Sequence, residues 1–169
     1  TQALVRTAQE HGVSSRIVES VIEVNAAQKA RMIKKIRTVL GGDISGKCIA
    51  ILGLTFKPET DDMRDSPAVS ILPVLIEKGA QIRAYDPKGM EEAQKVLPDN
   101  IRYVDDLYAA IEETDAIVIL TEWNVFRGMD LEKIKNNMKD NKFFDLRNIY
   151  EPSDMKKLGF DYHCIGRTC

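Results

Sequence analysis

Cysteine, histidine and tryptophan are scarce in this 169-residue chain, with 3, 2 and 1 copies respectively. Cys48, Cys164 and Cys169 cannot all pair, and neither their spacing nor that of His11 and His163 matches a metal motif. Cys48 and Cys164 lie in apolar runs, so buried, reduced thiols and a cytoplasmic setting are expected. Charge of one sign is also missing, since 24 Lys and Arg against 26 Asp and Glu leave a net charge of -2. Nucleic-acid binders carry a basic surplus, and that class is excluded. No apolar run approaches the ~20 residues of a membrane span. The start, Thr1 to Arg6, has no signal-peptide apolar stretch and no initiator Met. It reads as a piece cut from a longer chain, whose length bounds the piece and not the working protein.

What is present has two textures. Up to about Leu40 the pattern is helical, with Ile17, Val18, Val21, Ile22, Met32, Ile33, Ile36, Val39 and Leu40 mostly three and four residues apart. A helix of ~39 Å is expected over 15–40, opened by Ser14 or Ser15 and closed by Gly41-Gly42. It is either an ordinary packing helix or a connector and dimer surface. Beyond Asp43 the chain alternates strands and helices. The apolar runs 47–54 and 116–120 read as strands buried on both faces of a parallel sheet. Strands are expected also at 81–85, 101–104, 142–145 and 162–165, and helices at 66–78, 90–96, 106–113 and 130–138 with a helical turn at 154–158. Alternation of this kind predicts a doubly wound, mostly parallel α/β sheet of about six strands behind a long helix.

Ligands of such sheets bind beyond the carboxyl ends of the strands, which singles out 53–66, 86–89, 121–128 and 145–152. The first of these has only Gly53 where a dinucleotide fingerprint needs three glycines. It offers charge instead: Lys57 and Arg64 approach a helix N-terminus and suit a phosphate or nucleotide diphosphate. Glu59, Asp61, Asp62 and Asp65 lie among them, so a closed salt-bridge cluster is the alternative. Asp86 ends a strand where a ribose-binding acid would stand, or simply starts a turn with Pro87. Trp123 and Phe126 suggest a packed loop over the sheet end. Arg147 can fork onto a phosphate or pair with Asp145. His11 and His163 read as structural or solvated. No nucleophile, paired carboxylates or metal cluster can be defended.

Several of these segments also carry a resemblance. Phe56-Lys57-Pro58-x-Thr60-Asp61-Asp62-Met63-Arg64-x-Ser66-Pro67, Tyr85-Asp86-Pro87, Thr121-Glu122-Trp123-x-x-Phe126 and Asp145-x-Arg147-Asn148 resemble, in order and spacing, the C-terminal domain of the nucleotide-sugar 6-dehydrogenases, the UDP-glucose/GDP-mannose dehydrogenase family. Val21 to Asn25 with Gln28 is similar to the helix that joins that family's two Rossmann-like domains and forms its dimer. The Thr-Glu-Trp signature favours the UDP-glucose branch.

The resemblance implies an NAD-dependent oxidation of UDP-glucose to UDP-glucuronate, feeding polysaccharide biosynthesis. It uses two NAD+ per turnover and a thioester on a catalytic Cys that would lie upstream of Thr1. It implies residues 1–42 as the end of a central, dimer-forming region and 43–169 as the UDP-sugar-binding domain. Phe56, Lys57 and Arg147 would contact the UDP-sugar, and Arg64 would face NAD. No catalytic residue, metal site or membrane segment falls within the chain, which alone is expected to be inactive. The alternatives are the same chemistry on GDP-mannose or a UDP-N-acetylhexosamine, and a non-catalytic nucleotide-binding or dimerisation module.

Overall fold

Two helices come first in the computed structural model, which describes residues 2–168: α1 (Gln2–Glu10) and α2 (Arg16–Val39). Six strands joined by five helical crossovers follow: β1 (Cys48–Leu52), α3 (Pro67–Glu77), β2 (Gln81–Tyr85), α4 (Met90–Val96), β3 (Arg102–Tyr103), α5 (Leu107–Ile111), β4 (Ala116–Ile119), α6 (Asn124–Arg127), α7 (Leu131–Asn137), β5 (Lys142–Asp145), α8 (Pro152–Lys157) and β6 (Asp161–Cys164). The strands form one sheet in the order β3-β2-β1-β4-β5-β6, and every pairing is parallel. No helix among the described residues is long and apolar enough to cross a membrane.

The reason for this order is visible in the strands. Ile49 to Leu52 and all of β4 are buried, so these two runs must be covered on both faces and take the centre. β2 and β6 alternate exposed or half-buried with buried positions and lie farther out. Side chains pointing to one face (Ile49, Ile51, Val118, Phe144) pack with Ile36 and Leu40, with Ile71, Leu72 and Leu75 of α3, and with Ala93 of α4. Their neighbours on the other face (Ala50, Leu52, Ile117, Ile119, Phe143) pack with Leu107 and Ile111, Phe126, Ile134 and Met155. Each fully buried Ile, Leu or Phe contributes roughly 1.5–3 kcal/mol, so helices on both faces are what makes the sheet stable. The expected doubly wound α/β fold is therefore present.

Local signals set the boundaries. Ser66 Oγ accepts from Ala68 N at 3.1 Å and Pro67 opens α3, while Asp106 and Asp130 cap α5 and α7 through Ala109 N and Lys133 N. Gly42 N–H closes α2 on Arg37 O at 2.7 Å, with Gly41 and Gly42 both at positive φ. The apolar stripe of α2 divides: Met32 and Ile36 are buried, whereas Ile17, Val21 and Val24 are exposed. Some details differ from expectation: Ser15 stands at the N-cap of α2 without the expected side-chain hydrogen bond. A short helix, α6, stands where a loop was expected, because Phe126 must reach the core. Cys48 is a free thiol, but Cys164 is disulfide-bonded and not the expected reduced thiol. The turn after β6 folds back over its sulfur, with Arg167 O at 3.7 Å. Cys169 lies outside the described residues.

Candidate functional site

Between β1 and β4 the strand order reverses, and the chain leaves these neighbours in opposite directions, toward α3 and toward α6. A crevice at such a switch point is where doubly wound sheets take their ligands. Its floor is built by Gly53 and Thr121. Gly53 has φ +85, and a Cβ there would lie 2.6 Å from Thr121 Cβ and 2.8 Å from Thr121 N. Only glycine lets the two exits approach this closely. The Thr121 hydroxyl then donates to Thr55 O at 2.5 Å and ties the two loops together.

Asp86, at the end of β2, anchors the first loop. Its side chain is fully buried. Oδ2 accepts from Leu54 N (2.7 Å), Thr55 N (3.2 Å), Thr55 Oγ1 (3.3 Å) and Trp123 Nε1 (3.2 Å). Oδ1 accepts from Lys88 N (2.9 Å) and Gly89 N (2.7 Å). These donors occupy the carboxylate, and the ribose-binding reading is corrected: Asp86 is a brace. Trp123 and Phe126 are likewise buried, as a packed loop over the sheet end requires.

Ser66 closes the 53–66 loop by donating from Oγ to Leu54 O at 2.5 Å, and Phe56 N–H crosses it to Asp62 O at 2.8 Å. Its tip presents Phe56, 47% exposed, beside an exposed Lys57 that makes no ion pair among the described residues. Arg64 behaves differently. Its Nε and Nη2 donate to the two oxygens of Asp62 at 3.0 and 2.8 Å. Those hydrogen bonds, side chain first and backbone next, hold the Asp62 carboxyl down to about 2. The salt-bridge alternative thus holds for Arg64 and fails for Lys57. Arg64 also lines a groove of about 640 Å³ with Met63 and with Glu92 and Val96 of α4.

Arg147 stands two residues past β5 on the same carboxyl edge. Strand spacing puts the roots of its loop and of the Lys57 loop ~10 Å apart, with β4 between. The expected alternative partner, Asp145, is instead a second buried brace. It accepts from Arg147 N (3.0 Å), Ile149 N (2.8 Å), Tyr150 N (3.0 Å) and Tyr162 OH (2.8 Å). Burial and the Asp145 carboxylate drive the Tyr162 hydroxyl far above its usual range. The Arg147 guanidinium pairs with Glu122, a residue that sequence reasoning passed over.

The remaining candidates lie elsewhere. His163 stacks on Phe144 at 5.1 Å, and burial depresses its protonation; His11 Nδ1 lies 2.9 Å from Thr7 O on α1. Cys48 sits at the amino end of β1, on the edge opposite the crevice, with its thiol pushed up by burial. Nor do the residues fit a dinucleotide. The single glycine of the β1 turn is pressed against Thr121, so no open backbone cradle faces a pyrophosphate, and Asp86 has no free oxygen for a ribose.

Comparison with known proteins identifies the family of the chain. Residues 50–152 match the family model described as UDP-glucose/GDP-mannose dehydrogenase family, UDP binding domain. A UDP-glucose 6-dehydrogenase of Rhizobium meliloti is 48% identical over 167 residues, covering 99% of this chain and 38% of the relative. TuaD of Bacillus subtilis, also a UDP-glucose 6-dehydrogenase, is 41% identical over 99% of this chain and 36% of its own length. Among solved structures, a UDP-glucose dehydrogenase of Pyrobaculum islandicum superposes with a TM-score of 0.76 at 28% identity, covering 95% of this chain and 34% of that one. The chain thus spans less than two fifths of the length of these relatives.

Proposed function

The chain belongs to the UDP-glucose/GDP-mannose dehydrogenase family, and from that premise we propose that it is the UDP-sugar-binding part of a cytoplasmic NAD-dependent dehydrogenase that oxidises UDP-glucose to UDP-glucuronate. The observation that carries this reading is the crevice edge. There an exposed ammonium (Lys57), with no ion pair among the described residues, and a guanidinium (Arg147) stand on loops whose roots lie ~10 Å apart, with an exposed aromatic, Phe56, beside the ammonium. Two cations on neighbouring loops of one sheet edge suit the diphosphate of a nucleotide sugar, and Phe56 supplies an apolar face for the sugar or base.

In this reading the chain binds and orients, and the redox chemistry happens elsewhere. Residues 1–42 belong to the central region and 43–169 form the UDP-sugar domain. NAD, which accepts the hydride, is held by the portion of the enzyme outside this chain, with Arg64 facing it across the cleft. The exposed Ile17, Val21 and Val24 of α2 support a homodimer surface. The same helix carries Arg16, Glu19 and Glu23 in its first half and Lys29, Arg31, Lys34, Lys35 and Arg37 in its second, a charge asymmetry compatible with antiparallel self-association.

In the full-length enzyme, Lys57→Ala is expected to raise KM for UDP-glucose roughly 10- to 150-fold, as loss of a charge-assisted hydrogen bond worth about 1.5–3 kcal/mol requires. KM for NAD should stay unchanged. Steady-state kinetics read both, and an unaltered KM for UDP-glucose overturns the assignment. The 169-residue chain on its own is expected to reduce no NAD+ in the presence of UDP-glucose. Turnover by that chain, followed at the nicotinamide absorbance, would remove the case for chemistry upstream.

A further inference from the structure

Arg147 is held at both ends. Asp145 fixes its backbone N–H at 3.0 Å and the next two turns of chain through Ile149 N and Tyr150 N. Asn148, at φ +54, locks the loop to the β6 exit, its Nδ2 donating to Ile165 O at 2.8 Å and its Oδ1 accepting from Ile165 N at 3.0 Å. With the backbone tied down, the freedom left to Arg147 is that of its long side chain. Glu122 removes much of it. Its carboxylate takes the Nε–H of Arg147, and both side chains are only 32% exposed. The pairing follows from topology: β4 and β5 are neighbours with Ile119 opposite Asp145, so residues two and three positions farther on meet above the sheet.

We propose that Glu122 is a positioning residue for the UDP-sugar: by engaging Nε it fixes the plane of the Arg147 guanidinium and leaves the terminal nitrogens to receive a phosphate. The proposal rests on the reading of this edge as a UDP-sugar site. A surface ion pair of purely structural use contributes little and needs no particular guanidinium nitrogen. Here the contact is two-thirds buried and bridges the exits of β4 and β5, and the chain neighbours of Glu122 are tied down, Thr121 to Thr55 of the Lys57 loop and Trp123 to Asp86. Burial opposes ionisation of Glu122, but the hydrogen bond from Arg147, one from its own backbone N–H and the charges of Arg147 and Arg127 together hold its carboxyl below the usual range. Glu122 therefore orders one phosphate ligand, Arg147, while standing next to the loop that carries the other, Lys57.

The test is a double-mutant cycle in the full-length enzyme, with Glu122→Ala, Glu122→Gln, Arg147→Ala and Glu122→Ala/Arg147→Ala. Glu122→Ala is expected to raise KM for UDP-glucose about 5- to 10-fold, with kcat and KM for NAD unchanged. Glu122→Gln, whose amide oxygen still accepts from Nε, should restore KM to within about twofold. In the Arg147→Ala background, Glu122→Ala should add nothing, because the group it positions is gone. Thermal melts of each variant separate folding from binding. If Arg147→Ala leaves KM unchanged, the site assignment itself fails. If Arg147→Ala raises KM but Glu122→Ala does not, or the two effects add in full, the positioning role alone is overturned.

Discussion

Replacing Asp86 with alanine is expected to cost about 3–5 kcal/mol of stability, the range seen when a buried charge that satisfies several donors is removed. Six donors converge on this one carboxylate, from three separate segments: Leu54 and Thr55 after β1, Lys88 and Gly89 after β2, and Trp123 after β4. Alanine leaves these donors facing a cavity in a part of the molecule with no exposed surface at Asp86. For a domain of this size the melting temperature should fall by roughly 6–20 °C. Asp86→Asn should recover little. Both oxygens accept, so an amide nitrogen at either position meets N–H groups head-on. Calorimetric melts of the two variants check this, and losses under about 1 kcal/mol would show that the donors are satisfied without the carboxylate. Affinity for the UDP-sugar should fall in the variants at temperatures where they remain folded, because the loop carrying Phe56 and Lys57 loses its root.

Gly53→Ala is the second large effect. The methyl would overlap Thr121 Cβ at 2.6 Å and Thr121 N at 2.8 Å, and the backbone cannot yield without moving β4. Overpacking of this kind costs about 1–3 kcal/mol, and a left-handed φ adds about 1–2 kcal/mol for a residue with a Cβ. Gly41→Ala provides the control. Its φ of +97 is as unfavourable, yet nothing lies within 4 Å of the new Cβ. Gly53→Ala should therefore exceed Gly41→Ala by roughly 1–3 kcal/mol in denaturant unfolding. Equal losses would mean that the close approach of the β1 and β4 exits contributes nothing.

Both effects arise at residues whose role was only partly visible in the chain. Lys57 stood out by charge alone, and the structure leaves it exposed at the loop tip with no ion pair among the described residues. Arg64 was equally conspicuous, yet Asp62, two residues away, takes its guanidinium, an outcome that depends on how the loop turns. Asp86 had the position of a ribose ligand. Its use as a brace follows from the Leu54 and Thr55 amides being brought against it across β1 and β2. Thr121 and Glu122 carried a weak signal, polar residues directly after a fully buried strand, and nothing in their spacing named their partners.

The alternation of elements was determined by sequence, because its causes are local. Runs apolar on both faces make central strands, Ser66-Pro67, Asp106 and Asp130 start helices through bonds that reach two or three residues, and Gly41-Gly42 ends α2. The site was decided by tertiary structure, because its contacts join residues that only the crossovers bring together. Asp86 meets Trp123 across 37 positions and Thr55 meets Thr121 across 66. Arg147 meets Glu122 across 25, where the neighbouring exits of β4 and β5 overhang the same crevice.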